Sequence, residues 1–190
     1  MFAYKKKYFL IIENIKDIDL KNIKIRDKFS IIYRNNKKID KLSELLNFKQ
    51  KCKLKGIKFY IANNVRLALS ANCDGVYISS FNKDLKYLNY KKKNFKIIGS
   101  AHSFKEISLK IKQGCSSILL SKLFMVNYAS KAPYLGVIKF NTIARMSNRI
   151  IPLGGIKADN LNQLKNVFSE GLALLSEVKK KPAKIFSRLL

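Results

Sequence analysis

Residues 96–107 read KIIGSAHSFKEI, and their reading decides the fold. An apolar run stops at Gly99 and Ser100, passes His102, the single histidine of the chain, and restarts as the helical pattern FKEISLKIKQG. This is one strand-to-helix unit. The same unit recurs along the chain, with strand candidates at 8–12 (YFLII), 29–34 (FSIIYR), 58–62 (KFYIA), 75–79 (GVYIS), 96–101 (KIIGSA), 116–121 (SSILLS), 150–155 (IIPLGG) and 171–176 (GLALLS). Their hydrophobicity is continuous rather than alternating, as expected of parallel strands covered on both faces. Helical patterns lie between them, among them KLSELLNFKQKCKLKG, VRLALSANC, KDLKYLNYKKK, GVIKFNTIARMS and ADNLNQLKNVFSEG, and PAKIFSRLL closes the chain. Strand and helix alternating in this way predict a single (β/α)8 barrel domain over residues 1–190. The first connection, ENIKDIDLKNIKIRDK, has poor helical spacing, so its helix is expected to be short or missing. A doubly wound open sheet is the competing architecture.

Composition narrows the function classes. There are 190 residues, 47% of them hydrophobic, enough for one core of ordinary size. There is no apolar run long enough to span a membrane, and YFLII lacks the length and cleavage site of a signal peptide, so a cytoplasmic location is expected. Cys52, Cys73 and Cys115 are too far apart for a C-x-x-C motif and read as small buried hydrophobes. The net charge of +27 invites a nucleic-acid partner. Two features argue against one: only Arg26, Arg34, Arg66, Arg145, Arg149 and Arg188 can form guanidinium forks, and the lysines are spread over the whole chain beside many Ile and Asn. Lys, Ile and Asn share AT-rich codons, and a codon bias accounts for this composition without selection for a basic surface.

In a barrel of this kind the chemistry sits at the carboxyl ends of the strands, and a phosphate is often held after strands seven and eight. IPLGGIKADN puts Gly154 and Gly155 at the end of strand seven, with Asp159 or Asn160 available to cap the next helix. Glycines there let backbone N–H groups approach an anion closely. The same residues also make a tight strand-to-helix turn with no ligand.

PLGGI, GLALLSEV, ANCDGVYIS, IIGSAHSFKEI and GCSSILLSKLF, in the correct order and spacing from about Phe59 to Val178 and more loosely back to Tyr8, resemble the thiamine phosphate synthase family, which includes the thiazole tautomerase TenI. The resemblance implies a (β/α)8 barrel, a small phosphorylated thiazole or pyrimidine ligand, magnesium to neutralise a pyrophosphate, and a homodimer. It also implies roles for particular residues. The two metal-binding aspartates of the family fall on Asn63 and Asn82, amides that carry no charge, so no metal site is expected here. Of the strand-two motif Arg34 survives, while the glutamine and lysine become Ile32 and Asn36. The loop after strand six keeps only Phe124. Lys131 matches a phosphate-contacting lysine, and Ser100, Gly154, Gly155 and Ser176 match further anion-binding positions. The family resemblance therefore implies a phosphate half-site that is kept and a magnesium–pyrophosphate half-site that is degenerate.

In the TenI branch a histidine at the position of His102 is implicated in moving a proton on a thiazole phosphate carboxylate, work that imidazole can do near neutrality without a metal. Other readings of His102 stay open: a helix-start residue bonded locally, or a ligand-orienting group. The functions expected are proton transfer on a thiazole phosphate, thiamine phosphate synthesis with a rebuilt site, noncatalytic phosphate binding and, more distantly, nucleic-acid association.

Overall fold

The computed structural model of the chain describes residues 7–23, 25–35, 40–92, 94–126, 131–175 and 178. Eight parallel strands close in sequence order into a barrel: β1 (Lys7–Ile12), β2 (Phe29–Tyr33), β3 (Lys58–Ala62), β4 (Gly75–Ile78), β5 (Lys96–Ala101), β6 (Ser117–Ser121), β7 (Ile150–Leu153) and β8 (Gly171–Leu174). The open doubly wound sheet is ruled out, because β8 pairs with β1, Lys7 opposite Gly171 and Leu10 opposite Leu174.

The continuous apolar runs have a direct cause. One phase of each strand fills the barrel interior with Phe9, Ile11, Ile32, Tyr60, Tyr77, Ile98, Leu119, Ile151, Leu153 and Ala173. The other phase, including Tyr8, Leu10, Ile12, Ile31, Phe59, Val76, Ile97, Ile118 and Leu120, meets the outer layer. Neither face is wet, so neither phase can be polar. Among the described residues the outer layer holds the α-helices α1 (Leu42–Leu54), α2 (Val65–Ser70), α3 (Phe104–Lys112) and α4 (Gly136–Ala144). Among its described residues the first connection carries two short 3-10 turns, Ile15–Asp17 and Leu20–Asn22, each fixed by an Asn14 or Asp19 side chain that accepts a backbone N–H.

Three details differ from the sequence reading. The connections after β4 and β7 are 3-10 helices, Leu85–Tyr90 and Ala158–Asn166. The Asn and Asp side chains in these segments compete for backbone groups and weaken α-helix formation. Strand seven stops at Leu153 rather than residue 155, because Gly154 (φ +91°) and Gly155 (φ +72°) turn the chain through the left-handed region. Strand eight ends at Leu174; Ser176 and the PAKIFSRLL pattern lie outside the described residues.

Candidate functional site at the barrel mouth

The carboxyl ends of β5, β6 and β7 form a continuous arc. Gly99 and Ser100 end the apolar part of β5, and Ser103 caps α3 by accepting the Glu106 N–H at 3.3 Å. Glu106 Oε2 in return accepts the backbone N–H of His102 at 2.6 Å, a charge-assisted bond that fixes the residue at the helix entrance. The His102 side chain is exposed, with Nδ1 3.1 Å from the carbonyl oxygen of Ser121 at the end of β6. Since a carbonyl only accepts, Nδ1 carries the proton in this contact, and a neutral ring then has its basic lone pair on Nε2. Ser100 follows Ile98 in the inward phase of β5 and is 5% exposed.

Ser121 leads to β7. A Cβ placed on Gly154 would lie 3.0 Å from Ser121 Oγ and 3.2 Å from Lys122 Cα. A Cβ on Gly155 would collide with the carbonyl of Phe124 and sit 2.7 Å from that of Met125. Gly155 is therefore required by close backbone packing between the β6 and β7 loops. The N–H groups of Gly155 and Ile156 take no backbone acceptor among the described residues, while Asn160 Nδ2 holds the Gly155 carbonyl at 2.8 Å and Asn160 Oδ1 caps Lys157 N–H. Two consecutive left-handed glycines, with the Gly155 and Ile156 N–H groups that have no acceptor among the described residues, make an anion-accepting concavity.

Arg34 extends the inward phase of Ser30 and Ile32 past the end of β2, its N–H bonded to the Ile12 carbonyl at 2.7 Å. Its Nε is buried and has no hydrogen-bond partner among the described residues. An unmet donor on a charged group costs on the order of 1–3 kcal/mol or more, which an oxyanion would relieve. Lys131 is exposed, in the connection whose ends are tied by Leu135 N–H to the Lys122 carbonyl and Gly136 N–H to the Leu123 carbonyl.

At β3 and β4 a polar network closes on itself. Asn63, at φ +56°, donates from Nδ2 to Ser79 Oγ at 2.8 Å and accepts Ser79 N–H on Oδ1 at 3.0 Å. Asn82 Nδ2 donates to the Tyr87 hydroxyl at 3.1 Å and reaches Asn63 Oδ1 at 3.5 Å, and that hydroxyl donates to the Asn63 carbonyl at 3.1 Å. Behind this loop lies Lys110 of α3, fully buried, with Nζ donating to the carbonyls of Ser79 and Asn82 at 2.8 Å each and to Gln113 Oε1 at 2.9 Å. Burial draws its pKa below the ordinary lysine value, against the pull of Cys115 and Glu106. Three acceptors can be met at once only by the three N–H groups of an ammonium.

The family model for thiamine monophosphate synthase (TMP-TENI) matches residues 4–178. The chain belongs to the thiamine monophosphate synthase family. A thiamine-phosphate synthase of Prochlorococcus marinus (strain AS9601) is 28% identical over 172 residues, covering 88% of this chain and 48% of that protein. One of Clostridioides difficile (strain 630) is 26% identical over 144 residues, 73% of this chain and 67% of the relative. The chain thus spans about half the length of the first relative. The structure of a thiamine phosphate pyrophosphorylase from Pyrococcus furiosus superposes with a TM-score of 0.75 at 17% identity, covering 97% of this chain and 93% of that one. This last likeness concerns the fold.

Magnesium, which the family resemblance implies, does not fit the donor set at Asn63 and Asn82. Both are neutral amides, Asn63 Oδ1 is already engaged by two donors, and the Asn82 carbonyl is taken by Lys110 and Gln113. Among the described residues no three His, Cys, Asp or Glu side chains gather where a metal could bind. Among them, too, no helix is long and apolar enough to cross a membrane.

Of the residues expected from the sequence of this thiamine monophosphate synthase family member, His102 and Gly154 meet through Ser121, and Asn63 joins Asn82 through a shared network. Ser176 lies outside the described residues. Sequence reading missed Ser79, Ser121, Lys110 and Gln113. The two serines had a signal: each stands two residues past an inward side chain, Tyr77 or Leu119, and so at the mouth. Lys110 had none, being one lysine among several in a lysine-rich helix.

Proposed function

We propose that this chain binds a thiazole-phosphate-like ligand at the barrel mouth and transfers a proton on it. The single observation that carries the reading is the Nδ1 contact of His102 with the Ser121 carbonyl, which leaves Nε2 as a base at the strand ends. The N–H groups of Gly155 and Ile156 hold the phosphate at the turn that Gly154 opens, with Lys131 and Ser176 as further anion contacts, while Arg34, Ser100 and Asn63 face the rest of the ligand. Nε2 takes a proton from one ring carbon and returns it at the neighbouring one. No electron is lost, and the imidazole ends as it began. The test is NMR-monitored conversion of one thiazole carboxylate phosphate tautomer into the other; absence of turnover by the wild-type protein in the presence of bound ligand would leave only the binding role.

Thiamine phosphate synthesis, the activity in the names of the relatives, is the second reading, favoured by the family match over residues 4–178. The uncharged Asn63 and Asn82 pair speaks against it wherever a pyrophosphate leaving group needs magnesium. Product formation from a thiazole phosphate and a pyrimidine pyrophosphate, with magnesium, would establish that reading instead.

A further inference from the structure

We propose that Lys110 is a positioning residue that makes the β4 loop a second oxyanion receptor, one that needs no metal. The carbonyls of Ser79 and Asn82 both point at the buried Lys110 ammonium, and those of Asn82 and Asp84 at Gln113 Nε2. α3 lies on the outside of the barrel, so these carbonyls are turned away from the barrel axis. In a trans peptide the N–H is antiparallel to the C=O. The N–H groups of Ser80 and Lys83 are therefore turned to the opposite side, toward the mouth, and neither has an acceptor among the described residues. A fixed positive charge sits behind the same two peptides and reinforces their dipoles.

The arrangement also repels cations. The loop carbonyls that could have ligated one are occupied from behind, and the amide oxygen of Asn63 is filled by Ser79 and Asn82. The ligand class is a phosphate-like or carboxylate oxyanion. The inference does not rest on the organic ligand proposed above, and it concerns a different edge of the mouth from Gly154 and Gly155.

The test is a residue-resolved amide NMR titration of the full chain with inorganic phosphate, against sodium chloride at equal ionic strength. The expected result is that the Ser80 and Lys83 amides shift with phosphate, with magnesium making no difference. In Lys110→Met those shifts weaken at least about tenfold in apparent affinity, while shifts at Gly155 and Ile156 persist. Gln113→Glu keeps an acceptor for Lys110 but pairs its charge with a carboxylate and removes the Nε2 donor from the Asn82 and Asp84 carbonyls, and the same selective loss is expected in that folded variant. Movement of Gly155 and Ile156 with Ser80 and Lys83 silent in the wild type overturns this inference and leaves the proposed phosphate site standing. Movement of Ser80 and Lys83 alone does the reverse. Undiminished shifts in Gln113→Glu or in folded Lys110→Met also overturn it.

Discussion

The imidazole of His102 is moored by Nδ1 to the Ser121 carbonyl at 3.1 Å, so strand β6 orients a side chain supplied by the loop that follows β5. A backbone carbonyl accepts but does not donate, so this contact favours the tautomer with its lone pair on Nε2.

Removing the base should separate chemistry from binding. For His102→Asn, turnover of the thiazole tautomer is expected to fall at least about 100-fold, with affinity changed by less than about tenfold because other groups hold the anion. Steady-state kinetics together with calorimetric titration check both numbers. A variant that turns over at the wild-type rate would reassign His102 to ligand orientation or to the helix entrance.

Gly155 is a backbone-packing position first. Gly155→Ala is expected to destabilise the fold by about 2 kcal/mol through its left-handed φ and the clash with the Phe124 carbonyl, lowering Tm by about 4–8 °C. Thermal unfolding followed by circular dichroism measures this. An unchanged Tm would mean that the β6 loop yields freely.

Magnesium should be inert. At millimolar concentration it is expected to leave Tm unchanged, with or without pyrophosphate, because the amides at Asn63 and Asn82 supply no charge. A pyrophosphate-dependent rise in Tm on adding magnesium would reveal an oxygen ligand set elsewhere at the mouth.

The three thiols define an alkaline limit. Burial pushes Cys52, Cys73 and Cys115 from 9.0 up to about 12. Between those values the unfolded chain has lost protons that the folded chain retains, so stability is full below pH 9 and falls as pH rises, by roughly 1.4 kcal/mol per thiol at pH 10. Lys110, shifted the other way, offsets part of this below its ordinary value of 10.5. Urea midpoints at pH 8 and pH 10 test the direction, and a thiol reagent should find no reactive cysteine until the chain unfolds. Rapid labelling of the native protein would contradict the burial.

The strands were legible because both of their faces are buried, which writes an uninterrupted apolar run into the sequence; Ile97 and Ile98 point opposite ways and are both dry. The end of β7 was not, since Gly154 and Gly155 prolong an apolar run that the backbone has already left. The poor spacing after β1 correctly foretold the loss of a regular helix. His102 and Gly154 could be named from position, but their meeting depends on Ser121, a contact across strands that no local pattern carries. Lys110 was invisible because its burial is decided by the β4 loop, not by its own helix.

The pairing of β7 with β8 is the thinnest seam in the barrel. Five register pairs join β1 to β2 and four join β8 to β1, but among the described residues Leu153 and Ala173 alone join β7 to β8. The carbonyls of Arg149 and Leu153 serve the β6 side, so by alternation Pro152 faces β8, where it has no N–H to give. Opening fluctuations of the closed sheet should therefore start there, with amide exchange fastest along this edge. A ligand bridging the ends of these two strands would act as a clasp, slowing local breathing and raising resistance to proteolysis before any chemistry takes place.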